Sequence, residues 1–129
     1  MYVVRSELSP RQLIERARLE RDVDKAIDIC KRAIGISPDF SDAWICLSEL
    51  YMKKERYDLA LDCIKTAKKL NEDEPQIYKI LLSISLAAGQ NDAAISAIKK
   101  LLSLRETAED WILLGDLYLK KNSYEQAEE

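Results

Sequence analysis

Residues Ser41 to Glu74, SDAWICLSELYMKKERYDLALDCIKTAKKLNEDE, decide how this chain is read. Trp44, Leu47, Ser48 and Tyr51 stand at i, i+3, i+4 and i+7, one face of a 3.6-residue period, and Ala60, Ile64 and Ala67 make a second stripe with helical spacing. Lys53 to Tyr57 separates the two stripes, a short polar connection that forces an antiparallel pair of helices. The next stretch, Pro75 to Thr107, reads PQIYKILLSISLAAGQNDAAISAIKKLLSLRET. It sets Tyr78, Leu81, Ala94, Ile98 and Leu101 beneath Trp44, Leu47, Ala60, Ile64 and Ala67, an offset of 34 residues. A fixed period of this length marks a repeat architecture, in which each unit buries its apolar face against the next.

Working outward, the period extends both ways. Upstream, Leu13 and Ala17 take the places of Leu47 and Tyr51, and Ala26, Cys30 and Ala33 those of Ala60, Ile64 and Ala67. Downstream, Trp111, Leu114, Gly115, Tyr118, Tyr124 and Ala127 repeat Trp44, Leu47, Ser48, Tyr51, Tyr57 and Ala60, with one residue lost between Leu101 and Trp111. The expected organisation is one domain, 1–129, of helical hairpins at about 7–40, 41–74 and 75–107 and an incomplete unit at 108–129. Turns are expected at Lys53 to Tyr57, at Ala88 to Asn91 with Gly89, and at Lys121 to Tyr124. Ser9, Pro10 and Gln12 form a capping box with proline at the first helical position, and Leu8 and Leu13 are placed as a hydrophobic staple. Pro38, Pro75 and Thr107 punctuate the later junctions. With three Gly and three Pro in 129 residues, turn chemistry for a many-stranded β fold is missing.

This pattern resembles the tetratricopeptide repeat family, whose signature runs W-x2-L-G-x2-Y, then Ala, a large apolar residue, Ala and a closing Pro. Trp44, Leu47, Ser48, Tyr51, Tyr57, Ala60, Ile64 and Ala67 match it almost completely, and the likeness covers about Glu7 to Glu129. Pro10 replaces the opening aromatic of the first unit, Leu82 replaces a small residue of the third, and only Pro38 closes a unit. Looser helix spacing is expected around Leu82. The resemblance implies an all-α, right-handed superhelical solenoid of antiparallel helix pairs, about 3.5 repeats long. Its structural signature residues are Trp44, Leu47, Tyr51, Ala60, Tyr78, Ala94, Trp111, Gly115, Tyr118 and Ala127.

In such a superhelix the first helices line a concave groove, so the resemblance also implies the binding residues. Arg11, Glu15 and Arg18 come from the first unit, and Ile45, Cys46, Glu49 and Met52 from the second. The third gives Lys79, Ile80, Ser83 and Leu86, and the last Ile112, Leu113, Asp116 and Leu119. The later members are mostly apolar. The function expected is a non-catalytic scaffold that holds an apolar or amphipathic segment of another polypeptide. The alternative is self-association, by dimerisation or helix exchange through the incomplete last unit, or a place within a longer repeat protein. A carboxylate clamp for chaperone C-terminal tails is not expected: its five places hold Arg11, Glu15, Cys46, Gln76 and Ile80, or one unit later Ile45, Glu49, Ile80, Glu109 and Leu113. These offer one cation or none to an anion.

Other function classes fall on composition. The chain has no His, no Gly-rich phosphate loop and no metal-ligand spacing, so neither an enzyme nor a metal or other cofactor is expected. Cys30, Cys46 and Cys63 are odd in number and 16 and 17 residues apart, which fits free thiols; Cys30 and Cys63 read as core, Cys46 as the one thiol on the groove. The net charge of -3 and the pairs Lys31-Arg32, Lys53-Lys54, Lys68-Lys69, Lys99-Lys100 and Lys120-Lys121, set among acids, describe a solvated outer face and no nucleic-acid stripe. The longest apolar run, Ile80 to Ala88 with two serines in it, is too short for a membrane span. Without a secretory pattern at the N-terminus, a cytoplasmic location is expected.

Overall fold

The computed structural model describes residues 8–128, with side chains as far as residue 122. Seven helices follow one another: α1 (Pro10–Leu19), α2 (Val23–Ile36), α3 (Ser41–Lys53), α4 (Tyr57–Leu70), α5 (Pro75–Ala87), α6 (Asn91–Leu104) and α7 (Ala108–Glu128). The described residues contain no strand, and none of their helices is long and apolar enough to cross a membrane. The helices fall into two compact units, α1 to α4 within 1–70 and α5 to α7 within 71–129.

Local chemistry sets the helix starts. Ser9 Oγ accepts from the Gln12 amide at 3.2 Å while Gln12 Oε1 accepts from the Ser9 amide at 2.9 Å, the reciprocal cap expected at α1. Asp22 Oδ1 takes the amides of Asp24 and Lys25 at the head of α2, and Thr107 Oγ1 takes that of Asp110 at the head of α7. Pro75 occupies the first turn of α5, where its missing N–H costs nothing.

In the first unit, Leu13, Ile14 and Ala17 of α1, Ala26, Ile27, Cys30 and Ala33 of α2, and Ala43, Cys46, Leu47 and Leu50 of α3 form one core with Cys63 of α4. Ala60, Ile64 and Ala67 are fully buried along α4. Ser48 is buried too, and its Oγ donates to the Ala60 carbonyl at 2.9 Å, which marks the crossing of α3 and α4. A small side chain on each helix lets the two backbones approach there. In the second unit, Ala94, Ile95 and Ile98 of α6 meet Leu114 and Leu117 of α7, with Leu82, Leu102 and Leu113 packed alongside.

The family departure at Leu82 is met by a compensation one turn later. Where α3 has small Ser48 and large Tyr51, α5 has large Leu82 and small Ser85, and α1 repeats the second arrangement with Ile14 and Ala17. Leu82 packs on the unit's core and Ser85 is buried, its hydroxyl turned back onto the Leu81 carbonyl at 2.7 Å. The bulk moves along the seam and the seam stays filled.

One expected turn does not form. At the first two, the chain passes through a left-handed residue, Glu55 (φ 58°) and Gly89 (φ 70°), 34 positions apart. The third, expected at Lys121 to Tyr124, is absent: α7 continues through it to Glu128. Leaving the helix at 55 or 89 is repaid by burying a whole apolar stripe, Ala60-Ile64-Ala67 or Ala94-Ile98-Leu101.

The crossing of α3 and α4 is the point of least tolerance. Ala60→Leu is expected to destabilise the fold by about 1 to 3 kcal/mol, whereas Ala93→Leu, at an exposed position of α6, should change stability by less than about 0.5 kcal/mol. Chemical denaturation of both variants checks the contrast, and equal midpoints would place the seam elsewhere.

Candidate protein-interaction surface

The helices α3, α5 and α7 are each anchored at the start by an aromatic latch. Trp44 Nε1 donates to the Pro38 carbonyl at 2.8 Å, and Tyr78 Oη donates to the Glu72 carbonyl at 2.6 Å. Both donors and both acceptors are 34 residues apart, so the same bond recurs with the repeat. Trp111 makes the third version differently, donating Nε1–H to the Glu106 carboxylate at 3.0 Å. Sequence reading found the aromatic positions but not their acceptors, because a main-chain carbonyl leaves no mark in residue type. The bond fixes the angle at which each first helix leaves the preceding loop.

Against that frame, the residues expected on the groove separate into covered and open ones. Ile45, Cys46 and Ile80 are covered, with 3%, 3% and 4% of their surface exposed, and Leu113 packs on the second unit's core. These four are not available on an open surface. On α3, which packs against α1, α2 and α4, a step off the main stripe still falls within the wide apolar arc that a helix buries when it has neighbours on more than one side. On the first unit the open set is charged: Arg11, Glu15 and Arg18 are exposed, Glu49 and Met52 are half-buried, and Arg18 Nη1 lies 3.9 Å from Glu49 Oε1 across α1 and α3. On the second unit it is mainly apolar. Leu86 is 41%, Ile112 66% and Leu119 67% exposed, beside exposed Lys79, Ser83 and Asp116.

The signature residues behave in two ways. Leu47, Ala60, Tyr78 and Ala94 are buried, and Trp44 and Tyr51 are half-buried against the first core. On α7 the equivalent side chains are open: Trp111 is 51% exposed, Tyr118 37%, and Gly115 is exposed. Lys99 Nζ stands 5.5 Å from the centre of the Tyr118 ring, a cation–π contact from α6. Ala127 lies outside the residues whose side chains are described.

All three thiols are free and buried. Cys46, expected on the groove, belongs to the first core beside Cys30, and a hydrogen bond between the two thiols, followed by burial, drives the Cys30 thiol far above its ordinary value. Burial pushes the Cys63 thiol up to about 11. Thiolate is the reacting form, so these shifts disfavour reaction at Cys30 and Cys63, whereas the hydrogen bond with Cys30 holds the Cys46 thiol below its ordinary value and only burial shields it. No cluster of three or more metal-ligating side chains occurs among the described residues. A shallow hollow of about 290 Å³ between α2 and the α3–α4 turn is lined by Asp24, Asp28, Lys31, Lys54 and Arg56, with Lys54 already paired to Asp24.

A tetratricopeptide repeat model matches residues 17–84, and a second one residues 109–129. The chain belongs to the tetratricopeptide repeat family. Among curated proteins it is 27% identical over 115 residues to Superkiller protein 3 of Schizosaccharomyces pombe, a match that covers 83% of this chain and 8% of that protein. The chain thus spans under a tenth of that relative's length. Among solved structures, the first tetratricopeptide domain of Spaghetti (RPAP3), bound to the HSP90 peptide SRMEEVD, superposes with a TM-score of 0.80 at 16% identity over 88% of this chain and 96% of that one. A mutant O-GlcNAc transferase of Thermobaculum terrenum gives a TM-score of 0.71 at 26% identity, over 77% of this chain and 20% of the enzyme. At 16% identity, the first likeness speaks for the fold alone. The repeats seen here are those of an all-α helical-repeat protein, and the family works chiefly by holding other polypeptides.

The burial of the cysteines gives a direct test. In native buffer the three thiols should react with a bulky aromatic disulfide reagent at least about tenfold more slowly than in denaturant. A thiol that titrates at once in the folded chain would return Cys46 to the surface.

Proposed function

We propose that this chain is a non-catalytic scaffold for protein–protein interaction, and that its first helices carry the contact surface. The observation that supports this most is the exposure of Ile112 and Leu119 on one helix, α7, with Leu86 on α5, whereas the open Leu19, Ile36 and Leu70 stand singly at the ends of α1, α2 and α4. Apolar side chains grouped on one helix and left in water mark a place where another molecule completes the burial. Two exposed leucines, an isoleucine, Ser83 and the charges of Lys79 and Asp116 suit an amphipathic helix or extended segment with two or three apolar anchors.

A chaperone tail is not the favoured ligand, although the Spaghetti domain holds one. Of the places a carboxylate clamp would use, Cys46 and Ile80 are apolar and buried and Glu15 is an anion, so a terminal carboxylate would find Arg11 alone. A cytoplasmic setting, where free buried thiols persist, agrees with this reading.

Selection of a displayed random-peptide library on the chain tests the proposal, with Ile112→Lys/Leu119→Lys as the counter-target. Selected clones should carry two or more large apolar residues at helical spacing and bind the double variant at least about tenfold more weakly. Clones that bind both proteins equally would take the surface away from α7.

A further inference from the structure

Asp24, Ile27, Asp28 and Lys31 stand at i, i+3, i+4 and i+7 of α2 and so share one face of that helix. Tyr51 and Lys54 from the end of α3, with Arg56 and Leu59 around the start of α4, complete the hollow of about 290 Å³ on that face. The turn sets Arg56 in place. Glu55 is left-handed, and the Arg56 amide donates to the Tyr51 carbonyl at 2.9 Å.

The same register recurs in the second unit with a different outcome. Asp92, Lys99, Tyr118 and Lys121 of α6 and α7 correspond to Asp24, Lys31, Tyr51 and Lys54. The ion pair is kept, as Lys54 on Asp24 in the first unit and as Lys121 Nζ 3.0 Å from Asp92 Oδ1 in the second. The contact between lysine and ring is not. Lys99 Nζ stands 5.5 Å from the centre of the Tyr118 ring, whereas Lys31 makes no ring contact among the described residues, and it borders the hollow together with Tyr51. Two charges are particular to the first unit: Asp28 stands where α6 has Ser96, and Arg56 comes in from the turn.

With Lys54 committed to Asp24, the hollow keeps Lys31 and Arg56 against Asp28, and none of these three makes an ion pair among the described residues. The Tyr51 hydroxyl makes no hydrogen bond among them either. Uncommitted donors therefore outnumber uncommitted carboxylates, beside the aliphatic groups of Ile27 and Leu59. We infer that this hollow is a second docking site, for an acidic–aliphatic segment of another polypeptide. A Glu or Asp carboxylate of that segment meets the planar fork of Arg56 and the ammonium of Lys31, and an aliphatic neighbour rests on Leu59, which is 37% exposed. The volume takes one or two side chains and is too small for a packed helix, whose diameter is about 10 Å. A basic segment would face two cations and find Asp28 alone. No residue of this site belongs to the surface of Leu86, Ile112 and Leu119, so failure of the display selection leaves it standing.

The test is an NMR titration of the isotope-labelled chain with the peptide acetyl-Gly-Leu-Glu-Glu-Leu-Gly-amide and two controls, in which both Glu are replaced by Gln or by Lys. Amides of Lys31, Arg56 and Leu59 should shift in a saturable way with the acidic peptide, with a Kd below about 1 mM. The Gln peptide should bind at least about fivefold more weakly. Arg56→Gln should weaken the acidic peptide about fivefold or more, and Asp28→Asn should tighten it about twofold or more. Both side chains are exposed, so the melting temperature should hold. Opposite signs at Arg56 and Asp28 are what a site that reads charge produces and a loosened fold does not. The inference is overturned if these amides show no saturable shift up to about 5 mM peptide, or if the Gln peptide binds equally well. Tighter binding of the Lys peptide, lost in Asp28→Asn, overturns it in favour of a basic segment. Shifts of the same amides with protein concentration alone overturn it in favour of a second copy of the chain.

Discussion

Everything in the fold depends on how closely two antiparallel helices approach where small side chains meet. Ser48 and Ala60 set that distance for α3 and α4, and their direct hydrogen bond shows that no larger group fits between them. Once this crossing is close, Leu47 and Ile64 are drawn out of water together, and Trp44 is held at an angle at which its ring nitrogen reaches the Pro38 carbonyl. The apolar burial supplies the driving force and the small residues supply the geometry. A hairpin with bulky groups at the crossing would bury less surface and lose its latch.

The units meet this constraint in two ways, and the difference matters for the surface. Ser48 with Tyr51 puts the small residue at the crossing and the large one a turn later; Leu82 with Ser85 and Ile14 with Ala17 reverse the order. Total bulk along the seam is roughly kept, so both versions pack. Gly115 with Tyr118 follows the first version. It gives α7 the residue pattern of a first helix, and Trp111 and Tyr118 on it are exposed. Ile112 and Leu119, like Trp111 and Tyr118, are exposed on α7.

Much of this could be read from residue type alone, and the limits have physical causes. The 34-residue period, the capping box at Ser9, the buried alanines and the two turns at Glu55 and Gly89 follow from spacing and from propensities that act locally. The fate of Ile45 and Cys46 did not, because α3, set among α1, α2 and α4, buries a wider arc than one stripe, and the arc depends on tertiary neighbours. The turn missing at Lys121 to Tyr124 was illegible because Lys, Asn and Ser tolerate a turn without demanding one. The latches onto Pro38 and Glu72 were hidden because their acceptors are main-chain atoms. Leu86, Ile112 and Leu119, expected on the groove from the family resemblance, are exposed.

If covered seams hold the hairpins and α7 lacks its cover, local stability must differ along the chain. Native-state hydrogen exchange followed by NMR measures this at each amide. Amides in the middle of α3 and α4 should exchange only through opening of the whole first unit, while those between Trp111 and Leu119 should exchange substantially faster than those of α5 and α6 at the same pH and temperature. Protection of α7 equal to that of α5 and α6 would mean that its second face is covered after all, and would contradict the account.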